Sequence, residues 1–205
     1  MKGQTMTRFT TSLTAAALLS LALFAPAHAV EVQGVKLEDS VQVGGKNLVL
    51  NGAGARIKAV FKIYSMGLYL SEKKATPADV LAAPGPKRFK IVLLRELTGE
   101  EFGSAFLAGI NKNLEKDEKS KYVNQLVKFG EMFDTIGGLK KGDVVIGDWV
   151  PGTGLLLTLN GKRIIDPIPE QGFYNAILRI WIGNSPADHL LKPLLLGEKE
   201  KTQDF

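Results

Sequence analysis

Hydrophobic and polar positions divide the chain into three stretches. In the first, residues 30–43 (VEVQGVKLEDSVQV) interleave valines with polar side chains, and residues 47–51, 60–70 (VFKIYSMGLYL) and 87–94 (KRFKIVLL) are β-branched, aromatic and aliphatic. Each predicts a strand, because such runs suit a pleated, half-buried surface. Between them Thr76-Pro77-Ala78-Asp79 predicts a helix start, with Thr as N-cap and Pro at the first helical position.

The second stretch has a helical period. Thr98-Gly99-Glu100-Glu101 is a capping box, in which hydroxyl and carboxylate can satisfy orphan backbone N–H groups. Behind it Phe102, Ala105, Phe106, Gly109, Ile110 and Asn113 share one helical face. Tyr122, Leu126, Phe129 and Phe133 do the same in a second helix. Both aromatic stripes read as core. The alternating charges of residues 115–121 (EKDEKSK) read as a solvated junction between them.

The third stretch is a meander followed by helix. Residues 143–150 and 155–159 are strands around the turn Pro151-Gly152-Thr153-Gly154. Asn160-Gly161 is a strong hairpin signal, with residues 162–166 returning. Residues 169–182 form a helix with Phe173, Ile177 and Trp181 on one face, and Ser185-Pro186-Ala187-Asp188 opens a last helix. Clustered strands and clustered helices predict an α+β domain. A doubly wound fold would need strand–helix alternation.

Before these elements stands MKGQTMTRFTTSLTAAALLSLALFAPAHA, with Lys2 and Arg8, an apolar run over residues 13–24, and Ala27-His28-Ala29 at its end. This is the pattern of a cleaved export signal, and the apolar run is short for a ~30 Å bilayer. Residues 1–29 are thus expected to be removed, leaving a single domain over 30–205, soluble, periplasmic and without stable membrane insertion. The remaining charges are weakly basic and interspersed, with no nucleic-acid footprint. The absence of Cys excludes disulfides, thiolate metal sites and a Cys nucleophile.

Little else carries chemistry. Gly52-Ala53-Gly54 lacks the spacing of a phosphate loop and reads as a tight backbone turn into a strand. Metal ligands are not found at useful spacing, and no cofactor is expected. His189, in the last helix, reads as a surface residue; its other reading is a lone axial ligand to haem. Arg56 stands between the glycines and the most apolar strand. A guanidinium stays charged and demands an anionic partner near apolar surface. That partner is either a protein carboxylate or the head of an anionic ligand.

Residues 51–70 (NGAGARIKAVFKIYSMGLYL), 95–99 (RELTG), the meander GDVVIGDWVPGTGLLLTLNGKRI and residues 173–183 (FYNAILRIWIG) resemble, in order, the motifs of the chalcone isomerase family over most of residues 48–194. The export signal suggests a bacterial exported branch. The resemblance implies an open-faced β-sandwich, a large antiparallel sheet with a layer of helices on one face and a ligand cleft between them. It places Arg56 where the plant enzymes hold an Arg that stabilises phenolate and enolate charge during cyclisation of a 2′-hydroxychalcone. The family's other polar groups fall at Tyr64, Phe102, Gly109 and Ile180, so most are lost. Arg plus Tyr at these positions resembles the non-catalytic, fatty-acid-binding members of the fold, where the pair grips a carboxylate. Tyr64 reads equally as a core tyrosine.

The expectation is therefore a non-enzymatic binding protein for a small amphipathic anion such as a fatty acid. Arg56 and Tyr64 hold the head group, and Phe61, Phe102, Phe106 and Trp181 line the cleft. The alternative is an intramolecular lyase with Arg56 as electrophile. Arg56 and Tyr64 would lie roughly 26 Å apart on a continuous strand, so they meet only if the chain turns sharply between Ile57 and Ala59.

Overall fold

The structure, a computed structural model, describes residues 29–199. The predicted leader lies outside them, apart from Ala29. Seven strands form one antiparallel sheet in sequence order: β3 (Ser40–Val43), β4 (Lys46–Lys58), β5 (Phe61–Leu70), β6 (Lys87–Leu93), β7 (Val144–Val150), β8 (Gly154–Leu159) and β9 (Lys162–Arg163). The stretch read as one N-terminal strand is three, because Gln33 and Gly34 take positive φ and fold β1 (Ala29–Val32) onto β2 (Val35–Glu38) as a separate hairpin. The α+β reading and the large sheet with helices hold.

Alternation along β5 assigns the faces. Tyr64, Met66, Leu68 and Leu70 enter the main core, and Tyr69 enters a smaller one with Val43, Leu48 and Leu50. The β1–β2 hairpin lies over the second face, where Ser65 donates to the Val32 carbonyl at 2.9 Å and Lys90 pairs with Glu38 at 2.8 Å. The main core is roofed by α2 (Gly99–Asn113), α4 (Val123–Thr135) and α5 (Gln171–Ile182). Both aromatic stripes are core: Phe106 stacks on Phe129 at 5.6 Å, and Phe129 meets Phe173 edge-on at 5.3 Å. The capping box at Thr98 and Glu101 forms, as does the Thr76 cap of α1 (Pro77–Ala82). The charged segment is itself a short helix, α3 (Lys116–Lys121), with no buried residue.

Two readings are corrected. Gly52-Ala53-Gly54 is not a turn but the middle of β4. Its glycines let α6 (Leu191–Leu195) press on the strand: a Cβ on Gly52 would stand 2.0 Å from the Leu194 carbonyl oxygen, and one on Gly54 2.7 Å from Leu194 Cδ1. The last helix does not begin at Ser185. Asp188 draws the chain into a turn by accepting from Leu190 N at 2.8 Å and Leu191 N at 3.2 Å, and only then does α6 start.

Lys87 is fully buried and donates to the Leu81 carbonyl at 2.8 Å, with Asn175 Oδ1 at 3.5 Å. Among the described residues no carboxylate pairs with it. Burial lowers its pKa from 10.5 to about 8. Between these values the unfolded chain binds more protons than the folded one, so stability rises with pH. Burial of Tyr69 raises its pKa above 10 and reverses the trend there. Unfolding free energy from urea titrations is therefore expected to climb by about 2 kcal/mol from pH 8 to 10, and Lys87→Met should flatten that slope. A Gly52→Ala change should lower stability by about 1–3 kcal/mol by overpacking against α6 backbone, read as a lower urea midpoint at unchanged m-value.

Candidate functional site

The β4–β5 hairpin solves the separation of Arg56 and Tyr64. The strands close through Ala59 and Val60, one residue beyond the expected turn, with Lys58 opposite Phe61 and Ile57 opposite Lys62. The register then shifts between Arg56 and Ile57, and Arg56 comes to lie opposite Tyr64. Such a bulge re-aims a side chain relative to its strand. Eight residues of sequence become one cross-strand pair on the helix-covered face.

Arg56 is half-buried. Its guanidinium carbon lies 5.7 Å from the centroid of the Tyr64 ring, and its Nε is buried without a hydrogen-bond partner among the described residues. Nor does any carboxylate of those residues form an ion pair with it. Asp188 is the nearby acid, but its carboxylate accepts backbone N–H groups from Ile57 at 3.0 Å, Leu190 and Leu191. The protein-carboxylate reading of Arg56 thus has no support in the geometry.

Tyr64 is 3% exposed, and its hydroxyl oxygen accepts from Trp181 Nε1 at 2.7 Å. That bond leaves the phenolic proton available to donate. Burial raises the Tyr64 pKa, opposed in part by the positive charge of Arg56, so the phenol is a neutral donor at physiological pH. The role of Trp181 as an orienting donor was missed in the sequence, where it read as apolar lining only. The signal was available: a buried indole N–H needs an acceptor.

Arg56, Tyr64 and Trp181 bound a cavity of about 20 Å³, closed by Ile91, Phe102, Ala105, Phe106, Ile180 and Ala187. Phe102 and Phe106 also wall a second cavity of about 10 Å³ that runs between α2, α4 and strands β7 and β8 with wholly apolar lining. Two phenyl rings therefore separate a polar end from an oily one. Each space is about water-sized as it stands. Gly109 does not line it: a Cβ there would stand 2.8 Å from Ile180 Cγ2, so it is a close-packing position between α2 and α5. A larger groove of about 450 Å³ lies along β4, between β1 and α6.

Two expectations fail on placement. Phe61 does not line the cleft. It sits at the hairpin tip, 57% exposed, beneath Arg95 at 5.3 Å, because the turn falls before it and the bulge after it. His189 is exposed, as its surface reading expects, but lies in the turn before α6 rather than in the helix. Among the described residues no cluster of His, Asp or Glu could hold a metal ion.

Chemically the cavity offers one fixed positive charge, one neutral O–H donor and otherwise apolar walls. It contains no group poised to take or give a proton near neutral pH. That arrangement suits recognition of an anion at the end of an apolar body.

The chain matches the chalcone isomerase-like family over residues 29–197. Its fold is similar to the crystal structure of an Arabidopsis thaliana fatty-acid binding protein, with a TM-score of 0.65 and 17% identity, over 80% of this chain and 92% of that one. No curated protein matches it. Sequence motifs, sheet order and the family match agree, and the chain belongs to the chalcone isomerase-like family.

Proposed function

We propose that the protein is a non-catalytic carrier or sensor of a small amphipathic anion, with a fatty acid as the simplest ligand. The single observation behind this is Arg56: a charge that is partly withdrawn from water, without a protein counter-ion among the described residues, and with a buried Nε left without a partner. A ligand carboxylate would accept from the guanidinium and from the Tyr64 hydroxyl. The acyl chain would displace the Phe102 and Phe106 rings and join the two cavities they divide. The fatty-acid binding protein of similar fold supports the ligand class. The leader-like residues 1–29 support export, so we place the site of action in the periplasm; N-terminal sequencing of protein from a periplasmic fraction should begin at Val30.

The lyase reading is weaker because Phe102 and Ile180 put hydrocarbon where the resemblance implies hydroxyl donors. Losing preorganised donors costs orders of magnitude in rate. Turnover of a 2′-hydroxychalcone above the spontaneous rate, abolished by Arg56→Ala, would establish it in place of binding.

Competition with a fluorescent fatty acid tests the proposal. Arg56→Gln should weaken a long-chain fatty acid by about ten- to a hundredfold, the worth of a charge-assisted hydrogen bond. The matching fatty alcohol should be nearly unaffected. Equal losses for acid and alcohol, or no displacement by either, would sink the carboxylate assignment.

A further inference from the structure

The tip of the β4–β5 hairpin is shaped for contact with something apolar. Val60 is 84% exposed and Phe61 57%, while Leu190 on the neighbouring turn is 78% exposed. Asp188 ties these two segments together by accepting both Ile57 N and Leu190 N, so the hairpin and the turn present their side chains as one rim. The loop itself is unusual for a tight hairpin. Ala59 takes φ +53 and a β-branched valine follows it, whereas the other two-residue hairpin loops of the sheet use Gly44-Gly45 and Asn160-Gly161. Asn-Gly is what turn geometry alone favours.

Cations surround the apolar tip. Lys58 and Lys62 are the cross-strand neighbours of Phe61 and Ile57, and Arg95 lies over the Phe61 ring. All three are exposed, and none forms an ion pair with a described residue. Glu96, the acid beside Arg95 in sequence, is exposed and meets that guanidinium only through its backbone carbonyl, at 3.3 Å.

We propose that this tip docks on an anionic lipid surface. Val60, Phe61 and Leu190 enter the headgroup–acyl boundary, and Lys58, Lys62 and Arg95 meet lipid phosphates. Apolar side chains ringed by basic ones bind such surfaces by burying hydrocarbon while neutralising headgroup charge. This is attachment to one leaflet, since no helix among the described residues is long and apolar enough to cross a membrane. The same strand carries Arg56 two residues before Lys58, so docking would bring the Arg56 end of the cavity near the bilayer. The docking surface stands without the ligand reading; only passage of the ligand between bilayer and cavity rests on it.

The test uses the full chain as its host processes it, with identical N-termini confirmed by mass spectrometry. Flotation with phosphatidylcholine vesicles, with and without about a quarter phosphatidylglycerol, should show binding to the anionic set that high salt weakens. Val60→Asp and the double change Lys58→Glu/Lys62→Glu should each reduce it by about tenfold or more. Phe61→Trp places a reporter at the tip, and brominated lipid should quench it, which attachment through any other part of the chain would not produce. Absence of binding, binding unchanged in the Val60 and Lys variants, or an unquenched Trp would overturn the proposal. So would a concentration-dependent dimer abolished by Val60→Asp, which would assign the tip to a second copy of the chain. Arg56→Gln should leave flotation intact, and Val60→Asp should leave fatty-acid competition intact in vesicle-free solution, so each proposal fails on its own readout.

Discussion

A guanidinium cannot shed its charge, so wherever the fold withdraws it from water something must answer it. Arg56 lies opposite Tyr64 on the helix-covered face of the sheet, next to a bulge at Ile63 of β5, laid against an aromatic ring, and given no carboxylate partner among the described residues. The acid that could have served, Asp188, is occupied by three backbone N–H groups. That division of labour organises the whole end of the molecule. Asp188 fixes the hairpin to the segment before α6, and the arginine is left without an acid partner among the described residues.

The neighbouring packing serves the same separation. Gly52 and Gly54 let α6 reach the backbone of β4, which brings the turn at 188–190 within range of Ile57. Gly109 lets α5 close on α2, which holds Ile180 and Trp181 over Tyr64. Trp181 then consumes a lone pair of the Tyr64 oxygen and leaves its proton directed elsewhere. Phe102 and Ile180 supply only volume and dryness. Dryness strengthens a static electrostatic grip, but by itself it does not lower a barrier.

How much of this was legible in the sequence depended on whether the signal was local. Strands with period-two patterning, the Thr98–Glu101 capping box and the Asn160-Gly161 hairpin were readable because their causes lie within a few residues of one another. Gly52-Ala53-Gly54 misled because glycine marks both a turn and a place where another element comes close; α6, more than a hundred residues away, decides which. Ser185-Pro186-Ala187-Asp188 misled because Ser185 suits an N-cap, yet it is the Asp188 carboxylate that takes the N–H groups of Leu190 and Leu191, while also holding Ile57 N from across the fold. Phe61 was assigned to the cleft because a strand's apolar residues are expected to be buried. Its side of the hairpin was set by a bulge that no local pattern announces. The Arg56–Tyr64 pair could be inferred only through the family resemblance, since eight residues of chain separate the two.

The hairpin also explains why site and tip belong together. The register shift beside Arg56 and Ile57, with Ile63 of β5 as the extra residue, separates the part of the hairpin where Arg56 and Tyr64 face the helices from a tip whose side chains meet solvent. On the inner side the positive charge faces hydrocarbon and aromatic rings. On the outer side, two to six residues away, positive charges flank exposed hydrocarbon. Both halves juxtapose cations with apolar surface, which is the complement of an amphipathic anion whether it is a single molecule or a sheet of them. The two proposals therefore assign one short end of the hairpin the same chemical preference on its buried and its exposed sides.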